Sequence, residues 1–208
     1  MKIGIFGGSF NPPHKMHKKI AKVLIKKGYV DKVIFVPTGM KYEYKTNLIS
    51  NEKRVDMLSL MIEKEKNMAI SKYELQQKPI YTYETLKHFK KRYKDDEIYF
   101  ICGTDNLSYI DKWKNGQEIL KNYKLLVIKR ETDEIEPLLE KYKQYRQNII
   151  VTKVKEKTVS STKIRTYLKQ NNSLRARLYI DRKVYNYIKE NHLYEEKKGS
   201  VYHVIKSY

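Results

Sequence analysis

The residues best equipped for chemistry are gathered near the start of the chain. Gly7, Gly8 and Ser9 follow an apolar run from Lys2 to Phe6, and His14 and His17 come next, ahead of an apolar periodicity through Ile20, Val23 and Leu24. That order reads as strand, glycine turn and helix. Bare backbone N–H groups beside a helix N-terminus, at the positive end of its dipole, favour a phosphate. A spacing of three places both imidazoles on one face of the opening helical turn. Zinc is a second chemistry open to such a pair, but no Glu follows the first His as in HExxH. Two surface histidines beside an ordinary turn are the plainest alternative. Gly7-Gly8 completes neither a dinucleotide fingerprint nor a Walker loop.

The rest of the chain supplies elements that must position this turn. Asp31 to Val36 reads as a second strand, closing a β-α-β unit whose crossover is expected to be right-handed. Residues 38–49 form a loop at the ligand side of an open α/β sheet, and Ser50 caps a helix with Val55, Leu58, Met61 and Ile62 on its buried stripe. Met68 to Tyr73 gives a third strand, and Thr82 is placed as the N-cap of the next helix. Glu97 to Cys102 is a fourth strand with Gly103 and Asp105 at its exit, where Asp105 is placed to cap the short helix that follows. Lys124 to Lys129 is a fifth strand, a charged helical stretch runs from about 134 to 146 with Pro137 in its first turn, and Ile149 to Val154 is a sixth. Ser160, Ser161 and Thr162 would cap a helix that carries Arg165 one turn in, and a last helix runs through Val184, Tyr187 and Ile188. The fold class is therefore α/β: a Rossmann-like, doubly wound, mainly parallel sheet of five or six strands, with helices on both faces and a small C-terminal helical region. One domain is expected over 1–194, its helical part at 155–194, with an extension over 195–208.

Composition narrows the function classes. At 208 residues the chain suits one domain with a small appendage. A net charge of +20 attracts anions, and nucleic acid is the rival to a nucleotide. The lysines, however, are spread from Lys2 to Lys206, and the 19 tyrosines fall in no aromatic RNP motif, which favours a generally basic surface over a nucleic-acid interface. No apolar run approaches the ~20 residues of a membrane span, and the first residues do not read as a cleavable leader, so a cytoplasmic protein with no membrane partner is expected. Association into a homo-oligomer is left open. The single cysteine, Cys102, lies in an apolar strand and is expected to be an inert core residue.

With these residues in view, a resemblance emerges. GGSFNPPHKMH is similar to the GGTFDPPHxGH signature of nucleotidyltransferases that carry an HxGH motif, PIYTYETL to SYTxDTL, ICGTDNLSYIDKW to IxGxDxxxxLxxW, and VSSTKIR to ISSTxIR. In the same order and with similar gaps, they resemble the bacterial nicotinate-nucleotide adenylyltransferase family over about residues 1 to 195. The resemblance implies AMP transfer from ATP to nicotinate mononucleotide, with Mg²⁺ held mainly by the ATP phosphates. It implies catalytic roles for His14, His17 and Arg165, which with Mg²⁺ would supply a positive field for the triphosphate. ATP contacts are implied at Gly7, Gly8, Ser9, Phe10, Gly103, Asp105, Ser160, Ser161 and Thr162, with Asp105 on the ribose hydroxyls. Acceptor contacts are implied at Lys45, at Tyr81, Thr82 and Tyr83 around the pyridine carboxylate, and at Trp113 as a stacking platform. Three positions depart from the pattern: Met16 stands for the motif glycine, Asn11 for an acid, and Glu43-Tyr44 for Pro-His before Lys45. They leave room for nicotinamide mononucleotide or pantetheine phosphate as acceptor, or for a catalytically weak nucleotide- or RNA-binding protein.

Overall fold

The computed structural model describes residues 1–39, 48–130, 132–156 and 159–195. Its elements follow one another as β1 (Lys2–Gly8), α1 (Lys15–Lys26), β2 (Lys32–Pro37), α2 (Asn51–Ile62), β3 (Met68–Ile70), α3 (Thr82–Arg92), β4 (Glu97–Gly103), α4 (Thr104–Tyr109), α5 (Gly116–Asn122), β5 (Lys124–Arg130), α6 (Glu136–Lys141), β6 (Ile149–Glu156), α7 (Ser161–Lys169), α8 (Ser173–Tyr179) and α9 (Arg182–Glu190). The strands form one sheet in the order β3-β2-β1-β4-β5-β6, and every pairing is parallel. This is the doubly wound arrangement expected, with six strands.

A period of two sorts the strand residues between two cores. Val33 and Phe35 of β2, Tyr99 and Ile101 of β4, and Leu126 and Ile128 of β5 face one helical layer. Ile34 and Val36, Ile98 and Phe100, and Leu125 and Val127 face the other. Burial on both faces is why these strands read as continuous apolar runs rather than alternating ones. The first layer includes α1, α2 and the helices α7, α8 and α9, whose Ile164, Ala176, Val184 and Ile188 join its core. The second is built on α3, α4 and α5, through Leu86, Leu107 and Ile119. β1 lies at the centre, paired with β2 on one side and β4 on the other. The strand order reverses between β1 and β4, and the crevice beyond their C-terminal ends is where open α/β sheets place ligands.

Several local expectations are corrected. The first residue of α3 is Thr82, and its N-cap is Tyr81. The Tyr81 N–H donates to the Glu84 carboxylate at 2.9 Å, so an acid one turn in satisfies the helix start without a hydroxyl at the cap. β3 ends at Ile70 rather than Tyr73, because only the Ser71 N–H continues the pairing, to the Phe35 carbonyl at 2.9 Å, before the chain turns. The helix expected over 134–146 is the short α6 followed by a tight 3-10 turn, Lys143–Asn148. Cys102 is buried, and desolvation pushes its thiol pKa far up, which keeps it inert. Among the described residues no helix is long and apolar enough to cross a membrane.

Candidate active site

The turn after β1 is held from below by aromatic packing. Phe10 adopts a left-handed backbone at φ 47, and its ring, 2% exposed, packs edge-on against Phe6, Phe35 and His17. A Cβ on Gly8 would lie 3.1 Å from that ring, so glycine lets the chain fold tightly over it. Phe10 was expected to touch ATP; its side chain is turned into the core, where it supports the turn and the His17 ring, which leaves its backbone for such a contact.

His14 caps α1, and its backbone N–H donates to His17 Nδ1 at 3.1 Å. In a neutral His17 ring that bond leaves the proton on Nε2. The two rings stack with centroids 3.6 Å apart. His14 is 3% exposed, its Nδ1 is buried with no hydrogen-bond partner, and desolvation lowers its pKa from 6.5 to about 4. Burial first, and the neighbouring His14 second, hold His17 well below its ordinary value. Both shifts run against the positive charge expected of these rings. At neutral pH they are uncharged rings that can donate hydrogen bonds.

Charge on this side comes from Arg165, which reaches the same turn from α7. Its guanidinium donates to the Asn11 carbonyl at 2.9 Å and to Thr162 Oγ1 at 3.2 Å. Ser161 Oγ donates to the Pro12 carbonyl at 2.9 Å, and Ser160 Oγ accepts from the Lys163 N–H as the N-cap of α7. The start of α7 is thus fastened to the segment just before His14, although some 150 residues separate them in sequence. Met16, which stands for the motif glycine, is 7% exposed and packs in the core on the inner face of α1. Asn11 Oδ1 accepts from the Tyr194 hydroxyl at 2.7 Å, so this position ties the turn to the C-terminal end of the described chain.

On the other side of Gly7 and Gly8 lies a cavity of about 530 Å³, also lined by Tyr81, Thr82, Thr85, Trp113 and the buried Glu74. It brings together five of the expected site residues. Trp113 packs edge-on to Phe100 at 6.2 Å. It is presented by a turn that only glycine can close, since a Cβ on Gly116 would lie 1.7 Å from the Ile110 carbonyl oxygen. Tyr83 is not in this lining and packs against the second core. Asp105 is exposed at the end of β4, and a Cβ on Gly103 would meet its Oδ1 at 2.4 Å, so the carboxylate folds back over the strand exit. Lys45 lies outside the described residues.

Arg54 was missed by the sequence reading. It is 0% exposed beneath the site, where it donates to the carbonyls of Ser9 at 2.7 Å, Thr38 at 2.6 Å and Ile49 at 3.2 Å and to Asn51 Oδ1 at 2.6 Å. One guanidinium thereby holds the turn after β1 against the exit of β2. Its place in the sequence carried a signal, because Arg54, Leu58 and Met61 recur at the spacing of one helical face.

Comparison with known proteins identifies the family. The family described as cytidylyltransferase-like matches residues 5–167, which defines the class as nucleotidyltransferase. A Carboxydothermus hydrogenoformans protein named "probable nicotinate-nucleotide adenylyltransferase" is 36% identical over 198 residues, covering 93% of this chain and 98% of its own length. A Clostridium acetobutylicum protein of the same name is 37% identical over 199 residues, covering 93% and 98%. The chain belongs to the nicotinate-nucleotide adenylyltransferase family. A solved structure of the Plasmodium falciparum nicotinic acid mononucleotide adenylyltransferase complexed with NaAD shares the fold at a TM-score of 0.79, with 20% identity and coverage of 93% of this chain and 97% of the other.

Proposed function

We infer that this protein transfers the adenylyl group of ATP to nicotinate mononucleotide, forming deamido-NAD and pyrophosphate. The observation that carries the reading is two groups of residues that meet at the turn of Gly7 and Gly8: the lining of the cavity, with Trp113 and the start of α3, and the cluster of His14, His17 and Arg165. A pyridine mononucleotide suits the first, with its ring against Trp113 and its ring carboxylate at the first N–H groups of α3. A triphosphate suits the second. Its ribose would then reach Asp105, an acceptor for hydroxyl groups.

In the reaction a phosphate oxygen of the mononucleotide attacks the α-phosphorus of ATP. A new phosphorus–oxygen bond forms as the bond to the β-phosphate bridging oxygen breaks, and its electron pair leaves with pyrophosphate. The protein's work is alignment and stabilisation of the departing charge. Arg165 supplies fixed positive charge, and the neutral His17, its proton on Nε2, supplies a directed donor. Among the described residues no group of three His, Cys, Asp or Glu side chains is gathered to cage a cation. A Mg²⁺ carried on the triphosphate oxygens would neutralise phosphate charge there.

The direct test is pyrophosphate release from ATP and Mg²⁺, with nicotinate mononucleotide, nicotinamide mononucleotide and pantetheine phosphate offered separately. Turnover fastest with the first supports the reading. Turnover with none, together with salt-sensitive RNA binding, would replace it by a binding protein. His17→Ala is expected to lower kcat by about 100-fold or more, the scale for deleting one transition-state donor.

A further inference from the structure

The cavity has a charged rim that no element of the family pattern accounts for. Lys112 and Lys114 flank Trp113 and both line the cavity. The Lys114 ammonium stands 4.6 Å over the ring of Tyr81, the N-cap of α3, and that of Lys112 lies 5.4 Å from the ring of Tyr109. The neighbouring Lys141 is engaged with Asp111 at 3.0 Å. Asp111 is the nearest acid in sequence to Lys112, but it accepts from Lys141 and from the Tyr142 hydroxyl. Among the described residues neither Lys112 nor Lys114 forms an ion pair, so both charges remain for a ligand. Among the described residues of the lining the only carboxylate is Glu74, 7% exposed, which accepts from Thr85 Oγ1 at 2.6 Å.

The cavity therefore has a cationic rim at the start of α3 and an acid on its inner wall. We propose that Lys114, with Lys112 beside it, is a specificity-determining residue that selects an acceptor whose pyridine ring carries a carboxylate over one that carries a carboxamide. This rests on the adenylyl-transfer reading and deepens it. The Tyr81 N–H is occupied by Glu84, whereas the N–H groups of Thr82 and Tyr83 belong to the first turn, which has no intrahelical acceptors. An anion there meets two backbone donors, with the Lys114 ammonium standing over the ring of the adjoining N-cap Tyr81. A carboxamide is neutral and gains nothing from that charge. Lysine is a mobile point charge rather than a planar fork, so it would read the sign of the substituent more than its shape.

The test compares kcat/KM for nicotinate and nicotinamide mononucleotides in the wild type, Lys114→Met, Lys114→Arg and Lys114→Glu, at low salt and in about 0.5 M salt. Lys114→Met is expected to lower kcat/KM for the carboxylate acceptor about three- to fivefold, the range of a solvent-accessible ion pair, through KM rather than kcat. The ratio between the two acceptors falls by the same factor. Lys114→Arg restores the ratio, Lys114→Glu lowers it further, and high salt closes the gap between wild type and Lys114→Met. An equal loss for both acceptors, no loss for either, or a loss indifferent to salt would overturn the assignment. Those outcomes presuppose an active wild type. Failure of the wild type with every mononucleotide would instead overturn the adenylyl-transfer reading, and this inference with it.

Discussion

Arg54→Met offers a severe test of how the site is built, because the guanidinium's hydrogen bonds run almost wholly to backbone carbonyls and none of those described runs to an acid. Of its four bonds, that to the Thr38 carbonyl is fully buried and those to Ser9, Ile49 and Asn51 are partly so. A buried acceptor left without its donor costs about 1–3 kcal/mol, and each partly buried one about 0.5–1 kcal/mol, since water can replace the lost donor. Relief of the buried guanidinium's desolvation offsets part of this sum. The methionine also keeps most of the packing volume. The net expectation is a loss of about 2–4 kcal/mol, read as a fall of about 1–2 M in the urea midpoint at an unchanged m of about 2 kcal/mol/M. Because the Ser9 carbonyl belongs to the turn proposed to hold the triphosphate, KM for ATP should rise several-fold in whatever fraction remains folded. A midpoint within about 0.3 M of wild type would refute the view that this one side chain fastens the two strand exits together.

Three further predictions follow from the same geometry. The His14 pKa of about 4 in the folded chain lies below its ordinary 6.5, so as pH falls below 6.5 the unfolded chain takes up a proton that the folded chain refuses. Stability is fully present above 6.5 and is lost toward pH 4, and the wild-type advantage over His14→Asn should shrink by about 2 kcal/mol between pH 7 and pH 5 in urea unfolding; an unchanged difference would show that the ring is not desolvated. Trp113 is the only tryptophan, so nicotinate mononucleotide should quench the intrinsic fluorescence of the protein, and Trp113→Ala should raise acceptor KM about tenfold; an unaltered KM would remove the stacking role. Met16→Gly, which restores the residue of the family signature, should destabilise the fold by about 3 kcal/mol or more by emptying a core position within a helix, with turnover changed less than twofold. A tenfold faster Met16→Gly enzyme would show that the methionine intrudes on the site.

What was legible in the sequence was local. The β1 turn, the helix after it, the N-caps Ser50 and Ser160 and the strand runs around Phe35, Phe100 and Val127 each follow from residues within a few positions of one another, because capping, turn formation and strand burial are short-range or periodic. Even the misplaced cap at Thr82 was off by one residue, where a Glu84 carboxylate replaced an expected hydroxyl. The ordered motifs also identified the family, since each segment keeps its own local signature.

Tertiary structure alone decided the electrostatics and the direction of side chains. Two histidines three apart look identical in sequence whether charged at a surface or neutral in a stack; burial lowers the pKa of both, and His14 lowers that of His17 further. Met16 was free to face the site or the core until α1 settled on the sheet with that face inward. Arg54 reads as one more lysine-rich surface charge until the turn after β1 and the exit of β2, 29 residues apart at Ser9 and Thr38, close over it. Desolvation and long-range hydrogen bonding depend on which distant segments meet, and the parallel sheet sets those meetings through crossovers that leave no mark on any single stretch of chain.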